Sequence, residues 1–250
     1  MRYPPLGPFV GVLGGMGPLA TVDLLAKIIE ETGARSDQAH VPVVAHNVAQ
    51  IPDRQRFVAG TGISPLPAMH AAIARLDAIG AGCIVMPCNT AHVWFEALAA
   101  RARAPLIHIA DAVAAQWPAA SSRPATVGLL ATQGTLRAGF YQARLAALGI
   151  RTIENDAHAF EHLFTPGCYA VKAGDLARGG HLLQQAARQL VEQGAESLVL
   201  ACTEVPPALA HVDSPLLPHT IDATRALARA CVRWWRDQAA HDPHTVPPSD

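Results

Sequence analysis

Short apolar runs alternate with longer stretches of helical apolar spacing along almost the whole chain, which predicts an α/β protein with parallel sheets. Residues 9–13 form an apolar strand that ends in Gly14-Gly15-Met16-Gly17-Pro18, and Pro18 suits the first turn of a helix over 19–31. Strand 41–46, helix 68–79, strand 83–86, helix 91–103 and strand 106–109 complete a first half. A polar, proline-bearing stretch at 117–124 precedes a restart: strand 126–130, helix 139–148, strand 151–153, helix 181–193 and strand 197–200. Pro206-Pro207 opens another helix, 223–236 is the last, and the polar tail 241–250 is expected to fray.

The two halves echo one another. Val10-Gly11-Val12-Leu13 matches Val127-Gly128-Leu129-Leu130, and the run ending in Cys88 matches the run ending in Cys202. His108-Ile109-Ala110-Asp111-Ala112 matches His219-Thr220-Ile221-Asp222-Ala223, so the offsets are 117, 114 and 111 residues. This reads as an internal duplication, giving two similar open parallel-sheet α/β domains related by a pseudo-twofold axis. The first spans 1–115 and is completed by the C-terminal helical segment 222–250; the second spans 116–221. Ligands of open parallel sheets bind beyond the carboxyl ends of the strands. Both cysteines and the loops 14–17 and 132–135 lie there, so the expected site is the cleft between the halves.

Composition narrows the partners. Of 250 residues, half are hydrophobic, 16% are charged, and the net charge is −1, which argues against nucleic acid or an anionic membrane as partner. No apolar run reaches transmembrane length, and the N-terminus lacks a signal-peptide segment, so a cytoplasmic location is expected. Five cysteines then read as free thiols, with Cys83, Cys168 and Cys231 as packing residues. No spacing suggests structural zinc. His158 and His162 could share a helix face, yet read as two solvated histidines. Only Lys27 and Lys172 are lysines, so the latter's amine is a candidate for function as well as an ordinary surface group.

Gly15-Met16-Gly17-Pro18-Leu19-Ala20 nominally fits the dinucleotide fingerprint GxGxxG/A. That fingerprint wants an acid at the end of the second strand, where this chain has His46-Asn47. The loop reads instead as a cradle of backbone N–H groups for a smaller anion such as a carboxylate. Cys88-Asn89-Thr90 and Cys202-Thr203-Glu204 each place a thiol at a strand-to-helix turn, where a helix N-terminus is expected to favour the thiolate.

Gly14-Gly15-Met16-Gly17-Pro18-Leu19-Ala20-Thr21, Ile51-Pro52-Asp53-Arg54, Pro87-Cys88-Asn89-Thr90-Ala91-His92 and Ala201-Cys202-Thr203-Glu204 together resemble the aspartate/glutamate racemase family, in its aspartate-racemase branch. Leu130-Ala131-Thr132-Gln133-Gly134-Thr135 and Phe140-Tyr141 also resemble that family, and the likeness runs from about residue 10 to 230. Glutamate racemases of cell-wall synthesis fit less well, with Cys-Thr-His in place of Cys202-Thr203-Glu204.

The resemblance implies cofactor-independent racemisation, in which one cysteine removes the α-proton and the other protonates the opposite face. It implies Cys88 and Cys202 as the two bases. It implies Arg54 and Lys172 on the side-chain carboxylate of an acidic amino acid. Asn89, Thr90, Thr132 and Thr203 would hold the α-carboxylate, with the Met16 and Gly17 backbone nearby. A homodimer and a small-molecule substrate follow from the same likeness, with no metal and no cofactor. Segment 154–166 is less acidic and more aromatic than the branch pattern, which leaves aspartate, glutamate or a broader range open. A hydantoin racemase or a non-catalytic acidic amino acid binding protein are the other readings.

Overall fold

The computed structural model describes residues 7–241, which divide into two compact units, one of residues up to 109 with 224 onward, the other of 110–223. The first carries β1 (Val10–Gly14), α1 (Pro18–Thr32), β2 (Val43–Asn47), α2 (Arg54–Val58), α3 (Leu66–Ala78), β3 (Cys83–Val85) and α4 (Phe95–Ala99). α5 (Ile109–Ala114) leads out of it. The second carries β4 (Thr126–Ala131), α6 (Gln133–Ala138), α7 (Phe140–Ala147), β5 (Arg151–Glu154), α8 (Ala157–Ala159), α9 (Thr165–Lys172), α10 (Leu176–Glu192), β6 (Ser197–Ala201), α11 (Val205–His211) and β7 (Thr220–Asp222). A π-helical turn, Phe160–Phe164, joins α8 to α9, and α12 (Ala223–His241) returns to the first unit.

Both sheets are parallel, in the orders β2-β1-β3 and β5-β4-β6-β7. Their central strands β1 and β4 are buried along their whole length, as strands covered on both faces must be, which explains why they read as continuous apolar runs. The repeat is visible in the register. Gly11 pairs with Ile84 as Gly128 pairs with Leu198. Ile84 meets Leu106 in a lone parallel bridge where Leu198 meets Thr220 in β7. Tertiary register therefore aligns Leu106 with Thr220, whereas the sequence echo aligned Ile109 with it.

Two expected elements are shorter than their pattern. Helix 91–103 is a 3-10 turn, Thr90–Trp94, followed by the brief α4. Beyond it the Asp77 carboxylate accepts the Arg103 and Ala104 N–H groups at 3.0 Å each and turns the chain away. Strand 106–109 keeps one bridge because the Ile109 N–H donates to His92 Nε2 at 3.1 Å.

Helix α10 starts earlier than its pattern, capped by Asp175, which accepts the Arg178 N–H at 3.0 Å. Its Leu183, Ala186, Ala187 and Leu190 form the buried stripe expected of helical spacing. The Gly179-Gly180 pair within it is explained by packing. A Cβ on Gly179 would lie 2.5 Å from Val171 Cγ2, and one on Gly180 would lie 2.5 Å from the Ala208 carbonyl oxygen. Helix α12 is held to α1 by ion pairs of Arg225 with Glu30 and Glu31 (2.8 and 2.9 Å) and of Arg229 with Glu31 (2.9 Å). No described helix is long and apolar enough to cross a membrane. The fraying expected for the tail beyond His241 lies outside the described residues.

Candidate active site

In the first unit the loops leaving β1, β2 and β3 share the carboxyl edge of one sheet. Gly14 and Gly15 are there for close approach. A Cβ on Gly14 would lie 2.4 Å from Thr21 Oγ1, and Gly15 has φ of +93° with Val48 carbonyl carbon 2.2 Å from where a Cβ would sit. Thr21 Oγ1 accepts the Gly15 N–H at 3.0 Å and donates to Asn47 Oδ1 at 3.2 Å, clamping the loop to the end of β2. Met16 is buried, and the Met16–Gly17 peptide is cis. Gly17 caps α1 with no side-chain cap bond, and open space lies where its Cβ would be.

Arg54 begins α2, whose N-cap Asp53 accepts the Gln55 and Arg56 N–H groups at 2.7 and 3.1 Å. Its Nη1 donates to the carbonyls of Ile51 (3.1 Å) and Pro52 (3.0 Å). The guanidinium thus braces its own loop, and no described carboxylate pairs with it. Next to it Gln55 Nε2 donates to Thr90 Oγ1 at 2.8 Å, tying α2 to the cysteine turn.

Cys88, Asn89 and Thr90 are all buried on the turn after β3. The Cys88 carbonyl accepts the Ala91 N–H (3.2 Å) and His92 Nδ1 (3.0 Å). Because His92 Nε2 accepts from Ile109, its ring carries its proton on Nδ1 and bridges the turn to α5. Gln55 lies outside every sequence motif, and His92 enters only as the last residue of the motif 87–92, with no role assigned to it. Contacts across 17 and 35 residues leave no local signal.

In the second unit Thr132 follows β4 and caps α6. Its Oγ1 accepts the Thr135 N–H at 3.4 Å and sits 3.0 Å from Thr135 Oγ1. Cys202 and Thr203 follow β6 and are buried. Both donate to one oxygen of Glu204, Cys202 Sγ at 3.0 Å and Thr203 Oγ1 at 3.2 Å. Lys172 Nζ lies 3.8 Å from the other oxygen and 5.9 Å from the centre of the Tyr169 ring. Cys168 Sγ lies 3.8 Å from Cys202 Sγ.

The helix-terminus argument fails for Cys202. Its hydrogen bond to Cys168, its burial and the Glu204 carboxylate all hold the thiol well above its ordinary pKa. The seven-residue α11 does not outweigh these effects. Cys202 therefore rests as a thiol that donates to a carboxylate.

A cavity of about 610 Å³ opens elsewhere in this unit, lined by Gln133, Arg137, Glu154, Asp156, Phe160 and Glu161 among others. None of the candidate residues lines it. His158 and His162 are exposed with ring centres 4.6 Å apart, and no group of three His, Cys, Asp or Glu among the described residues could hold a metal. The aromatic segment 154–166 is largely helical, and Phe164 is buried in the core of this unit.

Residues 13–231 match the sequence profile of the Asp/Glu/hydantoin racemases. The chain belongs to this family. The solved Picrophilus torridus aspartate racemase superposes with a TM-score of 0.81 at 30% identity, covering 92% of this chain and 95% of that one. A broad-specificity amino-acid racemase, RacX of Bacillus subtilis, is 26% identical over 89% of this chain and 96% of its own length. A glutamate racemase of Pseudomonas entomophila is 32% identical over 93% of this chain and 82% of its own. As a racemase of this family the protein is an isomerase, and its candidate residues fall into one set per unit. Met16, Gly17, Arg54, Cys88, Asn89 and Thr90 are in the first; Thr132, Lys172, Cys202 and Thr203 are in the second.

Proposed function

We propose that the protein interconverts L- and D-aspartate, with glutamate as a second acidic substrate, by proton transfer between the substrate α-carbon and the thiols of Cys88 and Cys202. The observation that carries this reading is the matched position of two thiols, each on the first turn past the carboxyl end of a parallel strand in a repeated fold. The likeness to an aspartate racemase over nearly the whole chain supports the acidic substrate.

An α-hydrogen beside an ionised carboxylate is a very weak acid, so the site must supply a positioned base and stabilise the carbanion. Cys202, donating to Glu204, starts as the proton donor, and Cys88 starts as the base; after one turnover the roles are exchanged. Asn89, Thr90, Thr132 and Thr203, with the backbone at Met16 and Gly17, take the α-carboxylate. Arg54 and Lys172 take the side-chain carboxylate, for which the planar guanidinium offers paired donors. A pyridoxal mechanism needs a Schiff-base lysine, and the two lysines here face Asp23 (Lys27, 2.6 Å) and Glu204. The protein is proposed to work in the cytoplasm as a homodimer.

A broader substrate range is the second reading. It is favoured by the Glu204 carboxylate beside Lys172, which already occupies one of the two assigned cations. The deciding experiment incubates reduced protein with L-aspartate in heavy water and follows α-deuteration and optical rotation. Rotation should vanish as deuterium enters, and both changes should stop in Cys88→Ala and in Cys202→Ala. Absence of exchange with every acidic amino acid refutes the assignment.

A further inference from the structure

We infer that Cys168 and Cys202 form a redox pair, joined by a disulfide on oxidation, and that this bond withdraws Cys202 from proton transfer. The consequence for catalysis rests on the proposed function; the bond itself rests on geometry alone. The two sulfurs already touch at 3.8 Å, within one unit and 34 residues apart in sequence. A disulfide needs about 2.05 Å between sulfurs, so they must close by roughly 1.8 Å, within reach of side-chain rotation and a small helix shift.

Close packing sets up the contact. Cys168 lies on α9, which approaches α10 through Gly167 and Gly179. A Cβ on Gly167 would lie 2.8 Å from Leu183 Cγ, and one on Gly179 would lie 2.9 Å from the Gly167 carbonyl oxygen. Cys202 is fixed at the end of β6 by its bond to Glu204. Both thiols are buried in one hydrophobic cluster with Phe164, Val171 and Leu183.

The chemistry needs an oxidant, and a peroxide suffices. With hydrogen peroxide, the Cys202 sulfur attacks one peroxide oxygen and the O–O bond breaks; the thiol proton passes to Glu204 and then to the departing oxygen, which leaves as water. The Cys168 sulfur then attacks the sulfur of the resulting sulfenic acid; the S–O bond breaks as the S–S bond forms, and the hydroxide leaves with the Cys168 proton as a second water. Two thiols lose two electrons and two protons, and one peroxide becomes two waters. Cys168 thereby traps the sulfenic acid before it is driven to the irreversible sulfinic acid.

The test is direct. Protein treated with hydrogen peroxide is alkylated under denaturing conditions, digested with trypsin and mapped by mass. Cys168 and Cys202 fall in separate tryptic peptides, 152–172 and 189–225, each with a single cysteine. The expected result is a cross-link between these two peptides and a drop from five titratable thiols to three. Activity should fall in step with the cross-link and return with dithiothreitol. In Cys168→Ser, checked for folding by circular dichroism, the cross-link is absent, excess peroxide carries Cys202 on to the sulfinic acid, and dithiothreitol then no longer restores activity. A sulfinic acid on Cys202 without the cross-link, a link from Cys202 to any other cysteine, or five thiols surviving treatment overturns the pair. A cross-link in a protein that racemises nothing when reduced refutes the proposed function and leaves the pair standing.

Discussion

Replacing Glu204 by Gln removes the negative charge that faces Cys202 while keeping the size of the side chain. In the native protein Cys202 Sγ donates to Glu204 at 3.0 Å, and Glu204 is largely buried, so water screens this bond little. A hydrogen bond to a charged group is worth about 1.5–3 kcal/mol. It stabilises the thiol, and the same carboxylate repels a thiolate. Lys172, 3.8 Å from the carboxylate, offsets part of that repulsion. Taking the hydrogen bond alone, Glu204→Gln should raise the thiolate fraction of Cys202 roughly ten- to a hundredfold at a given pH. The contact with Cys168 and the burial of the site remain, so the thiol stays harder to ionise than a free one. The assay is the pH dependence of iodoacetamide alkylation at Cys202, read from the tryptic peptide by mass, in native and Glu204→Gln protein. The alkylation curve should move to lower pH in the variant. Superimposable curves would refute the claim that Glu204 holds the proton on Cys202.

Three further outcomes are expected. Arg54→Ala should lower kcat/KM for aspartate far more than for any neutral amino acid, and equal losses in both would make Arg54 a brace of its loop only. His92→Ala should cost about 2–4 kcal/mol in urea unfolding, because a buried ring and its bonds to the Cys88 carbonyl and the Ile109 N–H are lost together; a loss below about 1 kcal/mol would contradict that bridge. Stability should fall above pH ~9, since burial pushes the Cys231 thiol up to about 12 and raises that of Cys83 as well. Unfolded thiols release protons there that the native ones retain, so these two groups stabilise the fold below the unfolded value. That contribution is lost as pH rises, at about 1.4 kcal/mol per thiol per pH unit. Urea midpoints measured from pH 8 upward should show the slope, and Cys83→Ala with Cys231→Ala should flatten it; a slope unchanged by removing both refutes this account.

The alternation of apolar runs with helical spacing, and the near-constant offset between the two cysteine turns, determined the parallel α/β class and its internal repeat. Those signals are local, since strand burial and helix stripes are written in consecutive residues. The motifs at Gly14, Arg54, Cys88 and Cys202 marked the loops at the carboxyl ends of the strands for the same reason: turns need particular residues in a fixed order. Only tertiary structure decided where elements stop. Asp77 ends the helix after Cys88, and His92 takes the Ile109 N–H that an extended strand would have used. The ionisation of Cys202 lay equally beyond the sequence. A helix terminus argued for a thiolate, while a thiol 34 residues away and a carboxylate two residues on hold it protonated. Proximity in space sets that balance, and nothing in the order of residues around Cys168 announces which neighbour it will meet.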